Sequence, residues 1–125
     1  MPDPDTYRMS AMRATPFPNR LLELSLTLPE TQAWVLAYVV RNTLGWAAGP
    51  PGERRASTAV SLRHLTRLVG RSTRIAVVEA LAALAGSGVL EVADGAGRPV
   101  RFSLLRADAR AGLVLRIART WVVEA

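Results

Sequence analysis

Four consecutive residues offer the clearest chemistry in this sequence: Arg71, Ser72, Thr73 and Arg74, which directly follow Gly70. A guanidinium group can donate two parallel hydrogen bonds to guanine or to a phosphate group. Hydroxyl residues favour the cap position of a helix, where free backbone N–H groups and the helix dipole attract phosphate. These residue types at the start of a helix therefore predict contact with nucleic acid.

Positive charge is concentrated around these four residues. Between positions 54 and 74 the chain has six arginines and no acidic residue, and His64 lies in the same stretch. The six are Arg54, Arg55, Arg63, Arg67, Arg71 and Arg74. The whole chain has 16 basic and 10 acidic residues and a formal charge of +6, which indicates an anionic partner such as nucleic acid or an anionic lipid surface.

Other kinds of chemistry lack the residues that they need. The absence of cysteine excludes disulfides, thiolate zinc sites and thiol nucleophiles, and His64 is the single histidine. The glutamates have no spacing that pairs two carboxylates, and there is no glycine-rich loop of the kind that cradles nucleotide phosphates. We therefore expect no catalysis, no metal or other cofactor and no small-molecule ligand, and we interpret His64 as a surface residue.

Length and hydropathy are typical of a small soluble protein. A chain of 125 residues, 50% of them apolar, suffices for one domain with one core. No apolar run is long enough to cross a bilayer, and the first residues include aspartates and prolines where a secretory signal would be basic and then apolar. We expect a cytoplasmic protein that associates with the nucleoid when it binds DNA and does not enter a membrane.

The first helix that the sequence predicts clearly begins near Pro29. Thr27 and Glu30 fit a capping box, in which each side chain accepts a hydrogen bond from the other residue's backbone N–H group. Helical spacing of apolar residues then continues to about Trp46. Trp34 and Trp46 are both interpreted as core residues.

Both flanks of this helix lack a repeating apolar pattern. The proline-rich residues 1–19 are expected to form an arm whose backbone pairs poorly, with a helical turn or two after it. Residues 47–58 include Gly49-Pro50-Pro51-Gly52 and are expected to form a loop. A short strand, Thr58–Val60, is predicted where this loop ends.

Two short helices on either side of a glycine are predicted next. Ser61 is a good cap for a helix over Leu62–Val69, whose apolar residues share one side. Gly70 supplies a tight turn. Ser72 then caps a second helix over Thr73–Ala85.

After the second helix the pattern changes from helix to strand. Val89–Val92 and Val100–Leu104 flank a glycine-rich turn and predict a β-hairpin. This hairpin carries Arg98 and Arg101, which are suited to contact phosphates or the neighbouring minor groove.

The pattern of the last segment is ambiguous. Val114 and Ile117 begin a helical spacing, whereas Leu113 and Leu115 alternate with polar or small residues as in a strand. We favour a helix capped at Asp108. The apolar tail either completes the monomer or forms a dimer contact, and a homodimer is favoured.

Together these elements predict an α+β domain that is mostly α: a winged helix-turn-helix with a β-hairpin wing and an extra carboxy-terminal helix. We expect an arm over 1–19, the winged-helix domain over 20–106 and a carboxy-terminal helix or dimerisation segment over 107–125. In this fold the second helix enters the major groove of double-stranded DNA, and the first crosses the backbone. The predicted DNA contacts are Arg71, Ser72, Thr73, Arg74, Arg63, His64, Arg67, Arg54, Arg55, Arg98 and Arg101.

Three stretches of the sequence resemble one family. They read TPFPNRLLE, LPETQAWVLAYVVRNTLGW and SLRHLTRLVGRSTRIAVVEALAALAGSGVLEV. They resemble the amino-terminal DNA-binding domain of phage replication protein O and of related plasmid and phage initiators, over roughly residues 15–104. The specific matches are Pro18-Asn19 and Gly45-Trp46, while the third stretch is similar to many bacterial winged-helix regulators. The resemblance implies a winged helix that binds DNA.

Three features depart from the pattern of this family. The span from Ser72 to Ala80 is one residue longer than the usual helix start, which leaves the register of the recognition helix open. The glycine–proline loop replaces a shorter connection. The helicase-loading part that an initiator of this type carries has no counterpart in this sequence.

Functions of two classes follow from these patterns. The first is sequence-directed binding of double-stranded DNA, as a transcription regulator or a replication-origin-binding factor. The second is a protein–protein docking module in a replication, chromosome or phage–host complex, because winged helices serve both purposes. The acid-free arginine stretch favours DNA, since docking does not need it. The positive charge also disfavours a third class, inhibitors that occupy another protein's nucleic-acid site.

Overall fold

The computed structural model describes residues 6–8, 17–46, 53–70, 73–108 and 110–122. Within these ranges the helices are α1 (Asn19–Ser25), α2 (Glu30–Thr43), α3 (Leu62–Val69), α4 (Arg74–Gly86) and α5 (Phe102–Leu105). The strands are β1 (Thr6–Arg8), β2 (Glu53–Arg55), β3 (Ser57–Ser61), β4 (Leu90–Asp94) and β5 (Gly112–Ile117), and a 3₁₀ turn, Arg119–Trp121, follows β5. The predicted α+β class is confirmed.

Three of these strands form an antiparallel sheet in the order β3–β5–β4. At one end of the sheet Ser61 of β3 lies opposite Gly112 of β5. At the other end Ser57 lies opposite Arg116, and Leu90 of β4 lies opposite Ile117. The strand that comes last in the chain is therefore the central one.

One face of this sheet and two helices enclose the core. Leu113, Leu115 and Ile117 of β5 are at most 1% exposed, while Val114 between them is only partly buried. α2 and α4 pack against each other and against the sheet. None of the helices within the described ranges is both long and apolar enough to cross a membrane.

The two helices around Gly70 confirm the local prediction. Ser61 Oγ accepts a hydrogen bond from the backbone N of His64 at 3.1 Å and so caps α3. Gly70 has a φ of +82°, a left-handed conformation that side chains with a Cβ disfavour. α4 begins one residue later than predicted, because its cap is Thr73, whose Oγ1 accepts from the backbone N of Ala76 at 3.1 Å.

The prediction of a β-hairpin wing is wrong in its second strand. β4 pairs with β5, and most of Val100–Leu104 lies in α5 instead. The turn after β4 does form, because Asp94 Oδ1 accepts from the backbone N of Ala96 at 2.8 Å and of Arg98 at 3.0 Å. Pro99, which makes one isolated bridge to β4, has no N–H group with which to extend a ladder.

The predicted carboxy-terminal helix is also wrong, because Gly112–Ile117 forms β5. A strand places three large aliphatic side chains of this segment in the core at once, whereas a helix would turn one of them outward. Asp108 caps no long helix. Its Oδ1 accepts from the backbone N of Arg110 at 3.0 Å and closes a turn before the strand.

Two expectations for the first half of the chain fail as well. The Thr27 hydroxyl donates to Leu24 O at 2.9 Å and closes α1, so it does not cap α2, which begins after Pro29 without a side-chain cap. Trp34 and Trp46 are 53% and 47% exposed. α2 turns its aliphatic residues inward and Trp34 outward, and Trp46 lies beyond the end of this helix.

Part of the amino-terminal arm forms a β-strand, although the backbone of this arm was expected to pair poorly. β1 and β2 form a two-stranded antiparallel sheet in which Tyr7 lies opposite Arg54. The pairing also places a strand inside the segment predicted as a loop. Residues 1–5, 9–16 and 47–52, which complete the predicted arm and loop, lie outside the described residues.

Candidate nucleic-acid interface

The exposed side of α3 carries three basic or titratable side chains. Leu62 and Leu65 of this helix are fully buried, and their burial turns Arg63, His64 and Arg67 toward solvent. All three were predicted DNA contacts, and the structure places them on one exposed surface.

The start of α4 lies beside this surface. A groove between the two helices is lined by Arg63, Thr66, Thr73, Arg74 and Ile75. Arg74 is partly buried, and its Nε has no hydrogen-bond partner among the described residues. Two guanidinium groups from different helices thus border one groove, an arrangement that suits the binding of a phosphate.

The charges in this region oppose the helix dipoles. Neither α3 nor α4 has an acidic residue in its first turn, and Arg63, His64 and Arg74 lie there instead. A cation at a helix N-terminus costs about 0.3–1 kcal/mol, and Arg63 and Arg67, four residues apart, repel each other. A bound anion would offset both costs.

Two of the central predicted contacts, Arg71 and Ser72, lie outside the described residues. Their neighbour Thr73, not Ser72, is the cap of α4.

The remaining predicted contacts fall into two groups. Arg98 and Arg101 are exposed and belong to the segment between β4 and β5, at the end of the sheet where Asp94 lies opposite Leu113. Ser61, the cap of α3, is at this same end. Arg98 and Arg101 therefore lie at the same end of the sheet as the start of α3, although they do not lie on a hairpin strand.

Arg54 and Arg55 lie at the opposite end of the sheet. Arg54 is 7% exposed and has contacts within the protein, so its side chain is not presented to a partner. Arg55 is exposed, and its guanidinium carbon lies 5.4 Å from the centre of the Trp46 ring. The structure does not bring either residue to the α3 surface.

A further part of the surface escaped the sequence analysis. The outward stripe of α4 consists of Ile75, Glu79 and Ala83, which are exposed and follow each other at intervals of four residues. Ile75 is 53% exposed. A carboxylate oxygen of Glu79 lies 3.5 Å from a guanidinium nitrogen of Arg106, the residue that follows α5. Helical spacing from the buried Val77 and Val78 would have revealed this stripe.

Comparisons with models of known protein families, with curated proteins and with solved structures find no match to this chain. The resemblance to phage and plasmid initiators therefore stays a prediction.

Proposed function

We propose that this protein is a winged helix-turn-helix protein that binds double-stranded DNA, as a transcription regulator or a replication-origin-binding factor of the cytoplasm. The order α2–β3–α3–α4–β4–β5, with a glycine turn between α3 and α4 and a three-stranded sheet behind them, supports this fold. The segment 95–111 between β4 and β5 takes the place of the wing.

The observation that carries the proposal is the charge arrangement at the starts of α3 and α4. Arg63 and Arg74 border one groove, and Arg67 extends the same surface one turn along α3. Arg63 and Arg74 oppose the dipoles of the helices in whose first turns they lie, and Arg63 is repelled by Arg67, which lies in the last turn of α3. Their presence is explained by a partner with closely spaced negative charges, such as a phosphate backbone.

The geometry limits how much sequence the protein can read. When the N-terminus of α4 enters the major groove, Thr73 and Arg74 are nearest the base edges. Further along α4 the outward side chains are two hydrocarbons and the carboxylate of Glu79. Base readout therefore depends on the first turn of α4 and the residues just before it, while α3 and the 95–111 segment hold the backbone.

A second candidate function has one observation in its favour. Ile75 is half exposed, and with Glu79 and Ala83 it gives α4 an outward stripe without a positive charge. Such a stripe suits a protein partner better than a phosphate backbone. In this alternative the domain docks onto another protein through α4.

A homodimer remains part of the proposal, since two copies can read two half-sites. β5 is central in the sheet, so the contact does not involve a free tail at residues 112–117. Leu22 and Leu26 of the α1 region are 45% and 79% exposed and are suited to such a contact. Sedimentation of the wild type and of Leu26→Ser tests it: loss of a dimer in the variant supports this contact, and a wild-type monomer contradicts it.

Duplex binding is tested by fluorescence anisotropy with two labelled duplexes, one from upstream of the protein's own gene and one of random sequence. We expect binding to both, with preference for the first. The double variant Arg63→Gln/Arg67→Gln should weaken both complexes by about tenfold or more, because each arginine contributes a charged hydrogen bond.

The matched control is Arg41→Gln/Arg55→Gln, which removes two arginines from the other end of the sheet. At about 0.15 M salt it should weaken duplex binding clearly less than Arg63→Gln/Arg67→Gln does, since charges more than a Debye length away are screened. Absence of binding to either duplex at low salt contradicts the proposal and favours protein docking.

A further inference from the structure

Trp46 is surrounded by charge at the end of the sheet away from the α3 surface. The guanidinium carbons of Arg55 and Arg41 lie 5.4 Å and 5.8 Å from the centre of its ring. The backbone fixes this arrangement, because the N–H group of Arg55 donates to the carbonyl oxygen of Trp46 at 3.0 Å. The end of α2 and strand β2 thus hold one indole and two guanidinium groups together.

These side chains lie on the surface. Trp46 is 47% exposed, and Arg41 and Arg55 are exposed as well. Trp34, 53% exposed, lies on the same outward stripe of α2 as Arg41, about 10 Å along the helix axis. We call Trp34, Arg41, Trp46 and Arg55 the tryptophan–arginine patch.

Folding alone does not account for this patch. An indole that stays half exposed gives up much of the burial by which tryptophan stabilises a protein. Two guanidinium groups beside one ring also repel each other, which weakens the benefit of placing either over the ring. The patch therefore resembles a surface that a partner completes.

The chemistry of the patch defines the partner. Half-exposed indoles suit stacking with nucleobases, and Arg41 and Arg55, whose guanidinium groups lie over the Trp46 ring, attract phosphates. An acidic protein segment would satisfy Arg41 and Arg55, but it would leave the row from Trp34 to Trp46 without flat groups to stack on it. We propose that the tryptophan–arginine patch binds single-stranded nucleic acid, with bases on the indoles and phosphates on Arg41 and Arg55.

This inference does not depend on duplex binding. Ser57, two residues after Arg55, and Ser61, the cap of α3, are about 13 Å apart along β3. The patch and the α3 surface therefore occupy opposite ends of the sheet, and a single strand on one leaves the other accessible to a duplex.

The test is the affinity of the full chain for a labelled oligothymidylate about 12 nucleotides long, a length within the range that single binding domains cover. We expect Trp46→Ala and Arg41→Gln/Arg55→Gln to weaken binding by about tenfold or more, as loss of one stacked base or its phosphate contacts does. Arg63→Gln/Arg67→Gln, which removes the same charge from α3, should weaken binding clearly less than Arg41→Gln/Arg55→Gln does. Circular dichroism checks that each variant is folded.

A second measurement separates stacking from charge and needs only the wild type. An abasic oligonucleotide of the same length keeps the phosphates and lacks the bases, and we expect it to bind about tenfold more weakly. Equal binding of the two oligonucleotides overturns the proposal. So does full affinity in Trp46→Ala, a larger loss in Arg63→Gln/Arg67→Gln than in Arg41→Gln/Arg55→Gln, or displacement of the thymidylate by polyglutamate at lower concentration than by unlabelled thymidylate.

Discussion

At the scale of single residues, the side chains in the first turn of α3 differ from those that would stabilise this helix most. They are side chains that suit contact with DNA. His64 is three residues after the cap Ser61, the position at which a glutamate completes a capping box and meets the positive end of the helix dipole. The sequence has histidine there and arginine beside it. Both residues suit a negatively charged partner better than they suit the isolated helix.

The variant His64→Glu should therefore be more stable than the wild type and bind duplex DNA less tightly. The carboxylate gains about 0.3–1 kcal/mol from the helix dipole, which raises the thermal midpoint by a few degrees, and it repels phosphate. Thermal unfolding and anisotropy measure the two effects, with His64→Gln as the uncharged control. A more stable variant with unchanged DNA affinity would show that the first turn of α3 does not contact DNA.

Tyr38 gives the protein a dependence on alkaline pH. Burial raises the pKa of the Tyr38 phenol above its ordinary value of 10.0, an effect only partly reversed by the hydrogen bond to Thr58. The fold thus favours the neutral phenol. Its contribution to stability is complete below about pH 10 and falls as pH rises through the pKa of the folded state.

We expect Tyr38→Phe to lose less stability than the wild type between about pH 9 and 11, because the phenylalanine does not ionise. Urea unfolding at a series of pH values measures this difference. Parallel decline of the two proteins would show that Tyr38 is not the group responsible.

At the scale of elements, the charge of α4 changes sign along the helix. Its first turn is positive and would attract DNA, whereas Glu79, further along, would repel it. Glu79 is the one acidic residue on its outward stripe and forms an exposed ion pair with Arg106. Pairs of this exposure contribute at most about 1 kcal/mol and often less. The carboxylate therefore contributes little to the stability of the fold.

Removal of this carboxylate distinguishes the two candidate functions. If α4 enters the major groove, Glu79→Ala should raise duplex affinity by about threefold to tenfold, because one charge that repels phosphate is gone, and the melting temperature should hardly change. Anisotropy and thermal unfolding of the variant test this. Unchanged or lower duplex affinity would favour docking of α4 onto a protein.

The elements that the sequence predicts well are those defined by neighbours along the chain. α3, its cap Ser61 and the turn at Gly70 each depend on side chains within one helical turn. The wing and the tail depend on which strand pairs with β4, and that choice is made between segments about 20 residues apart. Local alternation cannot decide it, so Val100–Leu104 and Gly112–Ile117 were assigned to the wrong elements.

The same distinction holds for the site residues. Arg63, His64 and Arg67 could be predicted, because the apolar face of α3 determines which positions are exposed. The burial of Arg54 could not, since this residue lies in β2, which pairs with a strand about 45 residues earlier in the chain. The exposure of Trp34 and Trp46 was missed because large apolar residues usually lie in the core.

At the scale of the whole molecule, β5 joins the two halves of the sheet and closes the core. Leu115, in its centre, is fully buried, while its neighbour Val114 faces the other side of the sheet and is partly exposed. A helix over the same residues would instead place Val114 on the buried stripe. The loss of stability on substitution at Leu115 and at Val114 therefore distinguishes a strand from a helix over residues 112–117.

We expect Leu115→Ala to destabilise the protein by about 2–5 kcal/mol, the usual cost of such a cavity, and Val114→Ala to cost about 1 kcal/mol or less. Chemical denaturation measures both. A larger cost for Val114→Ala than for Leu115→Ala would contradict the position of β5.

The surfaces of the molecule divide between the two ends of this sheet. Arg63, Arg67 and Arg74 lie at the end that carries α3 and the start of α4, and the tryptophan–arginine patch lies at the other. The double variants at the two ends serve as controls for each other. Each replaces two arginines, so the two variants have the same net charge. Duplex and single-stranded binding can thus be assigned independently.

The most direct test of the account is the salt dependence of duplex affinity in the wild type and in Arg63→Gln/Arg67→Gln. The logarithm of the association constant falls with the logarithm of salt concentration, and each phosphate contact makes this slope steeper by about 0.9. If both arginines contact phosphates, the slope should become less steep by about 2 in this variant and stay unchanged in Arg41→Gln/Arg55→Gln. Equal slopes in all three proteins would contradict the central claim that α3 and the start of α4 bind the DNA backbone.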